Sequence, residues 1–177
     1  GQFTGAIFLI IATFFVLQQL QFMRKKDPGF NRDQVLLIPL NFASYDKFES
    51  IKQELLGNTL ISGVTATQQR LGNNLHQTGM MFHGDGPARE IVTSQIIVDP
   101  DFLTLYKIKL IAGRNFSRDY ASDNGKTYII NESMAKELLK DNPNAPMTSL
   151  LGKMYGFRGM DSSGRIVGIA EDFNFNS

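Results

Sequence analysis

The stretch that most constrains this chain is FTGAIFLIIATFFVL, residues 3–17, which carries no charged side chain. Its apolar residues fall on every side of a helix, so it belongs either in a closed core or in lipid. At about 1.5 Å per residue it covers some 22 Å, short of the roughly 30 Å hydrocarbon core of a bilayer. Three settings compete. A signal peptide would show a basic stretch ahead of the apolar run and a small-residue cleavage site behind it, and neither is seen. A buried core helix is the plain alternative. The distal part of a transmembrane helix that starts before Gly1 explains the flanks best, with Gly1 itself expected to be a residue left by tag removal.

The residues after Leu17 fit that third setting. The pattern turns amphipathic without a break through Gln18, Gln19, Leu20, Gln21, Phe22 and Met23, and ends on Arg24, Lys25 and Lys26. A continuous helix from Ala6 to about Lys26 is expected, stopped by Asp27-Pro28-Gly29. The basic trio taken alone would mark a cytoplasmic flank. The chain therefore divides into residues 1–26, a membrane and stalk helix, and residues 27–177, a folded domain.

Composition narrows the function of that domain. At 177 residues there is room for one ordinary domain or two small lobes. Apolar residues at 42% and charged residues at 20% exclude wholesale disorder. The 18 Lys and Arg against 17 Asp and Glu leave a net charge of +1, too little for a nucleic-acid binder. Cysteine is absent, which removes disulfides, thiolate nucleophiles and cysteine-ligated metals.

Along the domain, residues 34–40 (QVLLIPL) form an apolar run of strand length, expected in the middle of a sheet. Ser44 is placed to cap a helix over 45–56, whose Phe48, Ile51 and Leu55 keep helical spacing. Residues 61–69 alternate as a weakly sided strand. Residues 71–88, rich in Gly, Asn and Met, suggest a long hairpin tip or loop. Strands are expected over 90–98, 108–111, 127–131, 150–157 and 164–173, and helices over 100–106 and 132–140, with a polar loop over 114–126. The class is α+β: a mixed sheet with a few helices in two small lobes, preceded by the stalk.

Several fragments invite a catalytic reading, and spacing rejects each. Gly125-Lys126-Thr127 resembles the end of a phosphate-binding loop, but Tyr120 stands where the first glycine is needed. Ser133 and Lys136 match S-x-x-K, and Ser122-Asp123-Asn124 matches S-D-N, in reversed order and with no K-T-G. His76, His83 and Asp85 could ligate a metal only from a glycine-rich loop that offers no preorganisation. Asp119, Asp123, Asn124 and Gly125 lack the alternating carboxylates and terminal Glu of a calcium loop. No nucleophile, base and orienter can be assembled, so no catalytic, metal or cofactor site is expected.

With those residues read, the chain resembles the MacB-like periplasmic core domain of FtsX-type ABC transporter permeases, in the form found in Bacteroidetes. The resemblance rests on QQLQFMRKKDPGFNRDQVLLIPL, on DPDFLTLYKIKLIAGRNFSRDY with Phe102, Gly113-Arg114 and Phe116, and on Ile129-Ile130-Asn131-Glu132-Ser133. It continues through Leu151-Gly152-Lys153 to GRIVGIAEDFNFNS, in the family's order. Met134 and Asn174 depart mildly from the pattern. The resemblance implies an extracytoplasmic domain between the first two helices of a four-helix permease in the bacterial inner membrane, facing the periplasm. It therefore puts the basic trio on the outer side, against the usual tendency. It further implies a dimeric permease, a separate cytoplasmic ATPase that holds the ATP, and transmission of ATP-driven motion to periplasmic cargo or partner proteins. Met80, Met81 and Phe82 are the candidate partner contact, read as an exposed apolar cluster on the glycine-rich loop, with a loop folded onto its own core as the alternative. The rival function is an extracytoplasmic ligand-sensing domain of a membrane receptor.

Overall fold

In a computed structural model of the chain, the described residues are 2–25, 35–41, 46–69, 75, 77–123, 125–157 and 164–173. The α-helices among the described residues are α1 (Gln2–Lys25), α2 (Phe48–Leu56), α3 (Phe102–Leu105) and α4 (Glu132–Leu138). The strands among the described residues are β1 (Gln77–His83), β2 (Arg89–Ser94), β3 (Leu110–Gly113), β4 (Thr127–Asn131), β5 (Met154–Phe157) and β6 (Gly164–Ala170).

The sequence of β6, GRIVGIA, explains why it sits at the centre. Ile166, Ile169 and Ala170 are all buried, as expected of a strand covered on both faces. β4 runs parallel along one edge of β6, from Thr127 opposite Arg165 to Asn131 opposite Ala170. The other edge is shared: β5 pairs antiparallel with its start and β3 with its end. β1 then pairs with β5, and β2 with β1, both antiparallel. The parallel β4–β6 pair needs a crossover, and α4 begins it. Its N-cap is Asn131, whose side chain accepts from the Met134 N–H at 3.1 Å. The mixed sheet and α+β class expected from the sequence are both present.

Two hydrophobic clusters lie along this sheet. The larger joins Met80, Phe82, Ile130, Leu138, Tyr155 and Ile166, among others. The smaller surrounds α3 through Phe102, Leu103, Tyr106, Ile108 and Ala170. Gly113 joins β3 to the next loop with φ +77°, and a Cβ there would sit 2.2 Å from the Val167 carbonyl oxygen. Gly113→Ala should therefore cost at least about 2 kcal/mol, through both the positive φ and the collision with backbone. Urea denaturation reads this directly, and a neutral result would contradict the close strand approach.

Three expectations need correction. Residues 35–41 form no strand, and Val35, Leu36, Leu37 and Ile38 are exposed. Residues 61–69 and 95–98 meet only through an isolated antiparallel bridge between Thr67 and Val98. The expected loop over 71–88 contains β1, because paired strands on both sides supply backbone partners that a glycine-rich sequence cannot advertise by propensity. Ser44 and the turn at 158–163 lie outside the described residues.

Candidate interaction surface

The apolar trio is not a surface patch. β1 places Met80 and Phe82 on the core face at 0% and 5% exposure, while Met81 is half-buried on the opposite face. This corrects the exposed reading and matches the alternative of a segment folded onto its own core. The cause is the two-residue period of a strand, which sends neighbouring side chains to opposite faces. Period-two alternation of Gly79, Met81 and His83 with Met80 and Phe82 was the available signal.

The fragments with catalytic overtones are engaged in structure. Ser133 donates from Oγ to Asp172 Oδ2 at 2.6 Å, and its N–H reaches Oδ1 at 2.9 Å, fastening the segment after β6 to the start of α4. Lys136 is paired with Glu132 at 2.7 Å. His83 is exposed at the end of β1, and Asp85 is ion-paired with Lys153. His76 and Asn124 lie outside the described residues. Among the described residues, no group of three His, Cys, Asp or Glu side chains could hold a metal. Tyr155 is no base at neutral pH, because burial pushes its phenol up to about 12.

Two ionic assemblies organise the loops. Arg114 forks onto Asp123, at 2.6 Å and 2.8 Å, and lies 4.2 Å from the ring centroid of Tyr120. Asp123 also accepts from the Ser117 N–H at 2.8 Å. The Arg114 guanidinium, with help from that backbone donor, outweighs burial and lowers the Asp123 carboxyl to about 2. Its folded value is depressed, so the stabilisation is complete above the unfolded value near 4 and fades as pH falls through about 2. Asp123→Asn should cost about 2 kcal/mol at pH 7 and flatten the stability profile between pH 4 and pH 2. Denaturation curves across that range test it, and an unchanged acid limb would contradict the assignment.

The second assembly is one that the sequence did not reveal. Lys52 is the buried residue of α2. Its ammonium meets Asp99 at 3.1 Å and also pairs with Asp101. Arg118 adds contacts to Asp101 at 2.9 Å and to Glu49 at 3.1 Å, and the Thr65 hydroxyl donates to Asp99. Burial alone would lower the Lys52 pKa, but hydrogen bonds to Asp101 and Asp99 reverse this and raise it. A lysine at helical spacing from Phe48 would ordinarily be assigned to solvent, and only its distant partners explain its burial.

Among the described residues the largest run of exposed apolar side chains belongs to α1. Ile7, Phe8, Ile10, Ile11, Phe14, Phe15, Val16 and Leu17 are all exposed, from 49% at Ile11 to 71% at Phe8. Among the described residues, no helix is long and apolar enough to cross a membrane.

Solved structures similar to the chain include a domain assigned to a permease protein of Porphyromonas gingivalis. It is 27% identical, with a TM-score of 0.43, over 64% of this chain and 45% of that one. The periplasmic region of MacB from Actinobacillus actinomycetemcomitans is 18% identical, with a TM-score of 0.46, over 77% of this chain and 59% of that one. The extracellular domain of the noncanonic ABC-type transporter YknZ from Gram-positive bacteria is 17% identical, with a TM-score of 0.45, over 70% and 57%. The chain spans about half the length of these solved chains. No protein-family model and no curated protein matches the sequence.

Proposed function

We propose that the chain is the extracytoplasmic domain of an ABC transporter permease, carried on the outer end of a membrane helix and moved by it. The observation that carries this reading is α1, a continuous helix of 24 residues whose large described apolar side chains, from Ile7 to Leu17, are all exposed. Water cannot solvate such a surface without aggregation, whereas lipid can, because the helix satisfies its backbone polar groups internally. The folded sheet has its own two clusters, and among the described residues none of their members comes from α1.

Under this reading α1 is a lever about 36 Å long at 1.5 Å per residue, with no proline to kink it. A cytoplasmic ATPase working through the membrane helices of a dimeric permease in the bacterial inner membrane would drive it. The sheet domain would carry the motion to periplasmic cargo or a periplasmic protein. The domain itself needs no cofactor for this role.

Val16→Pro in the intact permease tests the lever directly, since an interior proline removes a helix hydrogen bond and kinks the rod. The expected result is retained ATP hydrolysis with at least a ten-fold loss of transport. Unchanged transport would contradict transmission through α1. Saturable binding of a small molecule to the chain would favour the sensor instead.

A further inference from the structure

The S-x-x-K fragment, Ser133 to Lys136, lies on a helix that is held from outside at both ends. α4 is seven residues long. Helices shorter than about 12 residues are marginal in water by themselves, so α4 depends on contacts with the rest of the chain. Ala135 and Leu138 give it a buried face, at 0% and 4% exposure. Its two ends are gripped by charged side chains from distant parts of the sequence.

At the N-terminal end the grip comes from Asp172, two residues past β6. Its Oδ1 accepts from the Asn131 side-chain amide at 2.7 Å and from the Ser133 N–H at 2.9 Å, and its Oδ2 accepts from the Ser133 hydroxyl at 2.6 Å. Asn131 extends the contact inward, because its own Oδ1 accepts from the Met134 N–H. At the C-terminal end the grip comes from Arg89, the first residue of β2. Its Nη2 donates to the Glu137 and Leu138 carbonyls at 2.9 Å and 2.7 Å, and its Nη1 pairs with Asp141 at 3.1 Å. Each charge has the sign that the helix dipole favours at its end, negative at the N-terminus and positive at the C-terminus.

The two grips share no hydrogen-bond partner, and they start from strands that do not pair. The order β2-β1-β5-β6 sets β2 three strand spacings from β6, about 14 Å. Helix formation is cooperative, so in a helix this short a contact that orders one end also protects the other. We infer that α4 is a coupling strut: Asp172 and Arg89 bias a single order–disorder equilibrium of this helix and thereby link the segment after β6 to the β1–β2 hairpin. By linkage the effect runs in both directions. These contacts are the same whatever the domain transmits, so the strut does not depend on the transporter reading.

Amide hydrogen exchange on the full chain in detergent reads both ends of α4 together. The Leu139 N–H, bonded to the Ala135 carbonyl at 3.1 Å, reports the C-terminal end, and the Met134 N–H, bonded to Asn131, reports the N-terminal end. The Ile166 N–H, bonded to the Lys153 carbonyl at 3.1 Å, reports the sheet. Asp172→Ala should speed exchange at the distant Leu139 by about ten-fold, and Arg89→Gln should speed it at the distant Met134 by a similar factor. Ile166 should change by less than about two-fold in both variants. Should Asp172→Ala fail to fold, Asp172→Asn, which keeps an acceptor for Ser133, should give the same pattern at about three-fold. Acceleration confined to the end where the substitution was made, or equal acceleration at Ile166, would overturn the strut.

Discussion

Met80→Ala should lower the unfolding free energy by about 2–5 kcal/mol, the cost of emptying a fully buried site. Met80 has 0% exposure and belongs to one buried cluster with Phe82 of its own strand, Tyr155 of β5 and Ile166 of β6. Its neighbour Met81 gives the contrast. It occupies the other face of β1, opposite Glu90 and Gly156, so Met81→Ser should cost less than about 1 kcal/mol. Urea unfolding of the two single variants measures both. Equal costs would show that β1 has no such sidedness. The same contrast explains why a triple serine replacement at 80–82 would chiefly report stability rather than a lost partner contact.

The second large effect is expected at Lys52. Among the described residues neither hydrophobic cluster includes a residue of α2, whose Phe48, Ile51 and Leu55 are only half-buried, so the Lys52 ion pairs are a principal anchor of the helix. Lys52→Met leaves Asp99, with a side chain only 12% exposed, short of its closest cation. Removing one partner of a buried pair costs about 3–5 kcal/mol, and the remaining Arg118 contact 3.5 Å from Asp99 reduces this to about 2–3 kcal/mol. Amides of α2 should lose exchange protection while those of β4 and β6 keep it. Lys52→Arg, which preserves the charge, should restore most of that protection. Uniform loss across the sheet would contradict an ionic fastening specific to α2. The pH dependence comes from Asp101, whose carboxyl is held low chiefly by its hydrogen bond to Lys52. The fastening is complete above the ordinary carboxylate range and weakens as pH falls below it.

How much of the fold was legible in the sequence depended on whether the signal was local. β4 and its helix α4 were readable because TYIIN is β-branched and aromatic, and Asn131 with Glu132 marks a helix start. α1 was readable because its pattern is uniform over many turns. β1 was legible only in its period-two alternation, since its glycine and methionines have weak strand propensity and its order comes from β2 and β5. The Lys52 assembly was invisible for a similar reason, with partners 47 and 49 residues away. Residues 35–40 show the converse case. Their composition announces a strand, yet the structure leaves them exposed, and composition does not specify an edge to pair with.

The most direct test of the central claim is topology by cysteine labelling, which the absence of native cysteine makes clean. Asn144→Cys lies on an exposed turn after α4, and Phe14→Cys lies on α1, where the native side chain is 59% exposed in the isolated chain. Both would be expressed in the full-length protein and treated with a membrane-impermeant maleimide in cells with a permeabilised outer membrane. An extracytoplasmic domain on a lipid-embedded helix predicts rapid labelling at residue 144 without lysis, and protection at residue 14 until detergent is added. Labelling at residue 144 only after lysis, or ready labelling of residue 14 by the aqueous reagent, would contradict it.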